Sequence, residues 1–346
     1  MAFSTLPHFA VRGVATCVPP QRVANATDVP GIDPGEIRKV VAMAGVKHRH
    51  VSDGTVTSSD LCRHACRQLL DRLGWDPESV DALILVTQTP DYFLPSSSCL
   101  VHRDLGFGPD TAAFDVGLGC SGYPYGVWMG AMMLNSGLSR VIVLHGETPS
   151  LFCHPEDQAT TLLFGDAGSA TALERGGPDQ LGHFALHTDG RGYGDLILRG
   201  GGFRERTPED ERDHFLRMNG PNIFTFTLKR VPSIVEEILD RSGTERDDVD
   251  HFVFHQSNRF IMQHLAKKMG ISLDKIPIIL DDFGNTGGPS VALTMTCGLP
   301  GERSEAVRLL SIGYGVGLSW SASLYDLAPD APLLHTTYEP VAEVAV

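Results

Sequence analysis

The 346-residue chain has no run of twenty apolar residues, so we expect no membrane-spanning helix and no membrane partner. No secretory signal is recognisable in it either. Its seven cysteines are odd in number and follow neither a disulfide framework nor the paired spacing of a zinc site. These absences predict a cytoplasmic protein with reduced thiols and no bound metal.

Basic residues are scarce: 28 Lys and Arg stand against 42 Asp and Glu, which gives a net charge of −14. Nucleic-acid binding needs a basic surface, so we expect no nucleic-acid partner. An anionic protein could still bind at a locally basic patch. The apolar content of 42% is typical of a globular enzyme, and the length suggests about two domains.

Apolar strand-like segments alternate with amphipathic helical segments along the chain, which predicts an α/β fold. Each half contains an apolar strand, a turn of small residues and a helix. We therefore divide the chain into two similar α/β halves, residues 1–174 and 175–346. Residues 174–217 are polar and irregular, and we interpret them as a boundary or an insertion near the site.

Cys120 follows an apolar strand and precedes a helix, with glycines close on both sides. A cysteine at a helix N-terminus is favoured as the nucleophilic thiolate by the helix dipole. The alternative is a buried cysteine that acts as a small apolar residue, which is how we interpret the other six.

Three later segments carry polar residues at turns. His255 ends a strand of large apolar residues, where a structural and a catalytic role are equally plausible; His251, four residues earlier on the strand, is too far away to share a metal. Asn285 lies in a glycine-rich turn, which alone indicates only a turn. Residues 313–317 resemble half of a dinucleotide motif but precede a strand, so the indication of phosphate binding is weak. They could equally form a turn whose backbone N–H groups face a ligand.

Taken in order, these segments resemble the thiolase-fold condensing enzymes, most closely the β-ketoacyl-acyl-carrier-protein synthase III family. Seven motifs carry the resemblance over nearly the whole chain: residues 44–51, 115–122, 164–168, 218–220, 255–258, 284–286 and 313–320. It implies a thiolase-like fold whose two halves pack as αβαβα layers. Degradative thiolases carry a second cysteine before the last glycine turn, where this chain has Ser311.

The resemblance implies a Cys-His-Asn triad of Cys120, His255 and Asn285 that needs no cofactor. Cys120 would take an acyl group from a thioester, with the backbone amides of Cys120 and Val316 as the oxyanion hole. His255, with a proton on Nε2, and Asn285 would activate malonyl-acyl-carrier-protein for decarboxylative condensation to a 3-oxoacyl product. The family usually has glycine at the position of Val316.

The implied partners are an acyl-CoA or acyl-carrier-protein donor and malonyl-acyl-carrier-protein. Lys267, Lys268 and Arg259 correspond to basic docking residues of the family, with Arg259 one position off. The tryptophan that stacks on coenzyme A would fall near Lys39, and the arginine after it is replaced by Met43. These two differences weaken the expectation of coenzyme A recognition.

Leu94 falls where the family carries a residue that reaches across a homodimer into the partner's acyl pocket. The alternative is that Leu94 is an ordinary core residue in a loop.

Three functions stay open at this point. The first is condensation, either in fatty-acid initiation and lipid metabolism or in a specialised pathway. The second is acyl transfer to an oxygen or nitrogen nucleophile on the same scaffold. The third is a non-catalytic subunit of a heterodimer, which the intact triad argues against. The acyl donor and its chain length cannot be derived from the sequence.

Overall fold

A computed structural model describes residues 2–29 and 32–340, which contain fifteen strands and nine α-helices. The strands are β1 (Ala2–Leu6), β2 (Phe9–Val18), β3 (Arg22–Ala24), β4 (His48–His50), β5 (Ala82–Val86), β6 (Ala112–Val116), β7 (Arg140–Glu147), β8 (Ala167–Arg175), β9 (Gly182–Thr188), β10 (Leu196–Ile197), β11 (Arg217–Met218), β12 (His251–Phe254), β13 (Val307–Gly315), β14 (Ser319–Leu327) and β15 (Leu333–Thr337). The helices are α1 (Pro34–Ala44), α2 (Ser58–Leu73), α3 (Ser97–Leu105), α4 (Gly122–Asn135), α5 (Gln158–Thr161), α6 (Gly220–Ser242), α7 (Arg259–Met269), α8 (Leu280–Phe283) and α9 (Ser290–Gly298).

The first sheet has six strands in the order β15-β2-β8-β7-β5-β6. Its β7-β5-β6 end is parallel, whereas β8 pairs antiparallel with both β2 and β7. Every residue of β5 is buried, as expected for a strand covered on both faces. Helices α2 and α3 cover the outer face.

The second sheet has five strands in the order β1-β9-β14-β13-β12, of which only β12 and β13 are parallel neighbours among the described strands. Helix α6 covers its outer face, and α7 packs against α6. Helices α4 and α9 lie between the sheets and contact strands of both. The layers are therefore αβαβα, as predicted.

The polar segment after Glu174 is less irregular than predicted, because it contains β9 in the second sheet between β1 and β14. Only three consecutive apolar residues, 184–186, form the buried part of this strand, and histidines flank them. So short a run shows no clear hydrophobic periodicity, which explains why the sequence interpretation was wrong for this strand. Beyond β9, the structure has 3-10 turns and the short β10–β11 hairpin.

The two terminal strands cross between the halves. Strand β1 pairs with β9 in the second sheet, and β15 pairs with β2 in the first. The division at residue 174 falls inside β8 and stays a prediction. None of the helices in the described ranges is long and apolar enough to cross a membrane.

Candidate active site

Cys120 lies in the turn between β6 and α4, where Gly122 N donates to Gly119 O at 2.7 Å. Strand β13 of the other sheet passes directly against it. A Cβ on Gly315 would lie 3.1 Å from Cys120 Sγ, and one on Gly313 would lie 2.7 Å from Cys120 O. Only glycine allows this close approach, so the last strand pair forms one wall around the sulfur.

The Cys120 thiol is only 9% exposed. Burial raises its pKa to about 12, and the nearby Glu147 raises it further, while the backbone N–H groups of Cys120 and Val316 act in the opposite direction. The expectation that the helix terminus lowers this pKa was therefore wrong, because desolvation outweighs the dipole. At neutral pH the group is a thiol, and it needs a base when it attacks.

His255 follows β12 and is buried, with its backbone N bonded to Ile312 O at 2.7 Å. Burial lowers the pKa of His255 to about 4, and the contact with Gly287 offsets this only in part. The imidazole is therefore neutral above about pH 4. Asn258 caps α7 through Ile261 N at 2.8 Å and fixes the exit of the chain from this strand.

Two partners contact Nδ1 of His255: Gly287 O at 3.0 Å and Ser290 Oγ at 2.8 Å. The carbonyl can only accept, so it suits the tautomer with the proton on Nδ1 and a lone pair on Nε2. Ser290 Oγ accepts from Gln256 N at 3.2 Å, which leaves its own proton free for donation to Nδ1. The second arrangement puts the proton on Nε2, so the surroundings support both neutral forms.

Asn285 is fixed by backbone pairing with the segment before β8. Its N donates to Leu163 O at 2.9 Å, and its O accepts from Gly165 N at 3.0 Å. The side chain donates from Nδ2 to Ser257 O at 3.3 Å and accepts at Oδ1 from Gly287 N at 2.9 Å. Asn285 and His255 thus share the turn at Gly287.

Two further buried residues stabilise that pairing, and their roles were not assigned from the sequence. Arg49 donates to Asn25 Oδ1 at 2.8 Å and to Phe164 O at 3.0 Å. Asp166 accepts from Ser52 N at 2.7 Å and from Ser150 N at 2.9 Å. Both residues lie in motifs that carry the resemblance, but only the tertiary structure reveals that they position Asn285.

Strand β7 brings a second buried pair to the same place, which the sequence analysis missed. His145 is 1% exposed, and neither ring nitrogen has a partner among the described residues. A Cβ on Gly288 would collide with its Cε1 and Nε2. Burial raises the pKa of Glu147 to about 8, and this carboxyl accepts from Gln88 N at 3.0 Å. In the sequence, these two ionisable residues at the end of an apolar strand were the feature that could have indicated a buried polar pair.

No group of three or more His, Cys, Asp or Glu side chains in the described ranges is placed to hold a metal ion.

A cavity of about 790 Å³ opens beside the cysteine turn. Its lining includes Gln88, Phe93, Phe152, Leu196, Leu216 and Val316. Gln88 Oε1 and Val316 Cγ1 are the side-chain atoms nearest to a Cβ built on Gly119. Two residues of the cavity lining therefore contact Gly119, the residue next to Cys120.

Leu94 is 80% exposed, so the alternative that it is a core residue was wrong. It does not line the cavity of its own chain, whereas Tyr92 and Phe93 do. These two neighbours are also exposed, and the Phe93 ring lies 5.6 Å from that of Phe203. An apolar surface thus surrounds the mouth of the cavity.

The three docking candidates lie on or beside α7. Arg259 forms an ion pair with Asp281, and Lys268 Nζ donates to Leu228 O at 2.7 Å. Lys267 is exposed near the end of the helix. Phe260, 42% exposed, stacks on Phe224 with ring centroids 5.6 Å apart. This surface is therefore more apolar than the basic residues alone suggested.

Two sheets with two helices between them, and a cysteine at the sheet-to-helix turn, define the class of thiolase-fold condensing enzymes. Family models described as 3-Oxoacyl-[acyl-carrier-protein (ACP)] synthase III and its C-terminal region match residues 114–190 and 239–327. The chain belongs to this family and is an enzyme of the β-ketoacyl-acyl-carrier-protein synthase III type, so the family, the fold class and the enzyme class predicted from the sequence are confirmed.

The similar proteins align with this chain over nearly the full length of both. The chain is 33% identical to a β-ketoacyl-[acyl-carrier-protein] synthase III of Streptomyces coelicolor, over 90% of this chain and 95% of the relative. It is 30% identical to the enzyme of that name from Neisseria meningitidis, over 91% and 98%. A crystal structure of 3-oxoacyl-(acyl-carrier protein) synthase from Burkholderia xenovorans superimposes with a TM-score of 0.94 at 38% identity, covering 97% and 99%.

Proposed function

We propose that Cys120 carries the acyl group in a decarboxylative condensation with malonyl-acyl-carrier-protein, which yields a 3-oxoacyl-acyl-carrier-protein. The observation that carries this proposal is the convergence on one sulfur of two backbone N–H groups, from Cys120 and Val316, with His255 and Asn285 fixed at an adjoining turn. A backbone donor does not require glycine, so valine at position 316 can supply this N–H group. An oxyanion-hole donor is typically worth about 3 kcal/mol.

In the first half-reaction, Nε2 of His255 takes the Cys120 proton while the sulfur attacks the donor thioester. The proton then goes to the departing thiol, and Cys120 holds the acyl group as a thioester. The tautomer with the proton on Nδ1 and Gly287 O as its acceptor provides the free lone pair that this step needs.

In the second half-reaction, the malonyl thioester carbonyl accepts hydrogen bonds from Nε2–H of His255 and from Asn285. Carbon dioxide leaves, and the electron pair of the broken C–C bond forms the enolate. The enolate carbon then attacks the Cys120 thioester. The Cys120 thiolate departs and takes up one proton from water, which is the proton that the decarboxylative condensation consumes. The tautomer with Ser290 donating to Nδ1 provides the Nε2–H that this step needs.

The proposal includes a cytoplasmic homodimer that accepts an acyl-CoA or acyl-carrier-protein donor and works in fatty-acid initiation or a specialised pathway. Leu94 would reach the acyl cavity of the partner, which its 80% exposure and the apolar surface around it support. The acidic carrier protein would dock near Lys267 and Lys268, with Arg259 beside them. The exposed Phe260 supports an apolar contact at the same place.

The decisive experiment combines intact-protein mass spectrometry with CO2 detection. The protein is incubated with acyl-CoA and acyl-carrier-protein donors, and malonyl-acyl-carrier-protein is then added. We expect an acyl adduct on Cys120, absent from Cys120→Ala, followed by CO2 release. Cys99→Ala, which removes an exposed cysteine, is the matched control and keeps the adduct. Loading without CO2 release supports acyl transfer to an oxygen or nitrogen nucleophile instead, and an adduct on another cysteine contradicts the proposal.

A further inference from the structure

Gln88 is the polar side chain closest to the cysteine turn on the cavity side. Its backbone N is bonded to the buried Glu147 Oε1 at 3.0 Å, which fixes the position of the residue. The side chain is exposed in the cavity, Oε1 lies against Gly119, and the carboxamide has no hydrogen-bond partner among the residues described. It is thus an anchored residue with a free amide next to the acylated position.

Thr89 and Asp91, the next polar residues of this wall, are less available to a bound group. Thr89 Oγ1 donates to Glu147 Oε2 at 3.3 Å. Asp91 Oδ2 accepts from Ser59 Oγ at 2.5 Å, and its Oδ1 has no solvent-accessible surface. Much of the remaining lining is apolar, and it includes Phe93, Phe152 and Leu216. Tyr92 and Tyr193 also line the cavity, but Gln88 is the polar side chain that lies against Gly119, next to Cys120, and can still form hydrogen bonds with a bound acyl group.

The size and polarity of the cavity favour some classes of acyl group over others. The volume of about 790 Å³ in a single chain exceeds what an acetyl group fills, and in the proposed homodimer a leucine side chain would occupy only part of it. An unsubstituted alkyl chain would displace the water around Gln88 and leave its amide unpaired, which is unfavourable. An oxygen on the acyl group at this point would replace the lost water contact. Sites built to bond a substrate oxygen discriminate strongly against the analogue that lacks it.

We propose that the cavity receives an acyl group larger than acetyl that carries a hydroxyl or carbonyl oxygen close to its thioester carbonyl, and that Gln88 recognises this oxygen. The inference rests on the proposed acylation of Cys120 and adds the class of acyl group to it. Gln88 is then a residue that determines donor specificity in the first half-reaction.

The test uses matched pairs of N-acetylcysteamine thioesters, so that carrier-protein docking plays no part. Octanoyl is compared with 3-hydroxyoctanoyl, and benzoyl with 2-hydroxybenzoyl, with acetyl as the small donor. The rate of adduct formation on Cys120 is followed by intact mass. We expect at least one oxygenated donor to load about tenfold faster than its unsubstituted analogue, and faster than acetyl.

Gln88→Leu removes the amide at nearly constant volume and should bring that rate ratio close to one. Gln21→Leu, the same change at an exposed position outside the cavity, should keep the wild-type ratio. Equal loading within both pairs, fastest loading of acetyl, or an unchanged ratio in Gln88→Leu overturns the inference and leaves the proposed function intact. No adduct on Cys120 from any donor contradicts both.

Discussion

Two buried histidines reach the same glycine turn from opposite sheets, and they differ in their hydrogen bonds. His255 lies after β12 and contacts Gly287 O and Ser290 Oγ through Nδ1. His145 lies on β7 against Gly288, with no partner for either nitrogen among the described residues. Burial lowers the pKa of both, to about 4 for His255 and about 3 for His145. Both rings are therefore neutral, but among the described residues only His255 has partners at Nδ1, which orient its ring and support either neutral form.

The difference separates a chemical role from a packing role. An oriented imidazole whose partners support each neutral form can exchange a proton with a substrate. An imidazole whose nitrogens have no partners is held by its shape, and its polar atoms destabilise the fold. We therefore expect changes at His255 to act on catalysis and changes at His145 to act on stability.

The largest effect should follow His255→Ala. Condensation should fall by about a thousandfold, since the Nε2–H donor to the enolate is lost. Acylation of Cys120 loses its base but should fall less, because the two oxyanion-hole amides remain and water can take the thiol proton. The two half-reactions are measured separately, as adduct formation and as CO2 release per acyl-enzyme. His251→Ala on the same strand is the control and should keep both rates. Equal losses of acylation and condensation in His255→Ala would contradict the larger role of His255 in condensation.

Gly288→Ala should produce the next largest effect. The new Cβ would collide with the His145 ring, and overpacking of this kind costs about 1–3 kcal/mol of unfolding free energy. The double variant Gly288→Ala/His145→Ala should lose less unfolding free energy than the sum of the losses in the two single variants. Urea unfolding measures all three. Gly301→Ala is the control, because nothing lies within 4 Å of its Cβ position. Additive losses would mean that His145 and Gly288 do not share this space.

The two histidines also differ in whether the sequence alone could predict their place at the site. Cys120, His255 and Asn285 were recognisable because motifs in a fixed order surround them. His145 was not, because it ends an apolar strand with no motif residue of its own. Its role depends on a contact with Gly288, more than 140 positions later, that only the packed sheets create. The fold class followed from alternating strands and helices, whereas β9 was missed because its buried run is three residues long.

The thiol pKa was predicted in the wrong direction for a related reason. A helix N-terminus can be recognised from sequence, but the depth of burial cannot. At Cys120 the desolvation produced by β13 outweighs the dipole and the backbone donors. Local sequence therefore singled out Cys120 as the candidate nucleophile and did not define its protonation state.

The pH dependence of stability should distinguish the packing role of His145 from any catalytic one. Its pKa is about 3 in the folded protein and about 6.5 when unfolded, so the unfolded chain binds more protons between these values. Stability is therefore lost as the pH falls through this window. Between pH 7 and pH 5 the loss is about 2 kcal/mol. His145→Leu should remove it, so its unfolding free energy should fall less over that range than that of the wild type. Parallel pH profiles of the two proteins would contradict the prediction.

Ser290→Ala should give the smallest effect and the finest test of the tautomer argument. Without the hydroxyl, Gly287 O is the only remaining partner of Nδ1 among the described residues, and it holds the proton there. The lone pair on Nε2 that acylation needs is then retained, whereas the Nε2–H that the enolate needs is lost. We expect condensation to fall about tenfold, the usual worth of one hydrogen bond, with little change in acylation. Ser290→Thr restores a hydroxyl and should recover most of the condensation rate. Equal slowing of both half-reactions would show that Ser290 only supports the position of the ring, and His255 would then resemble His145 more closely than its contacts suggest.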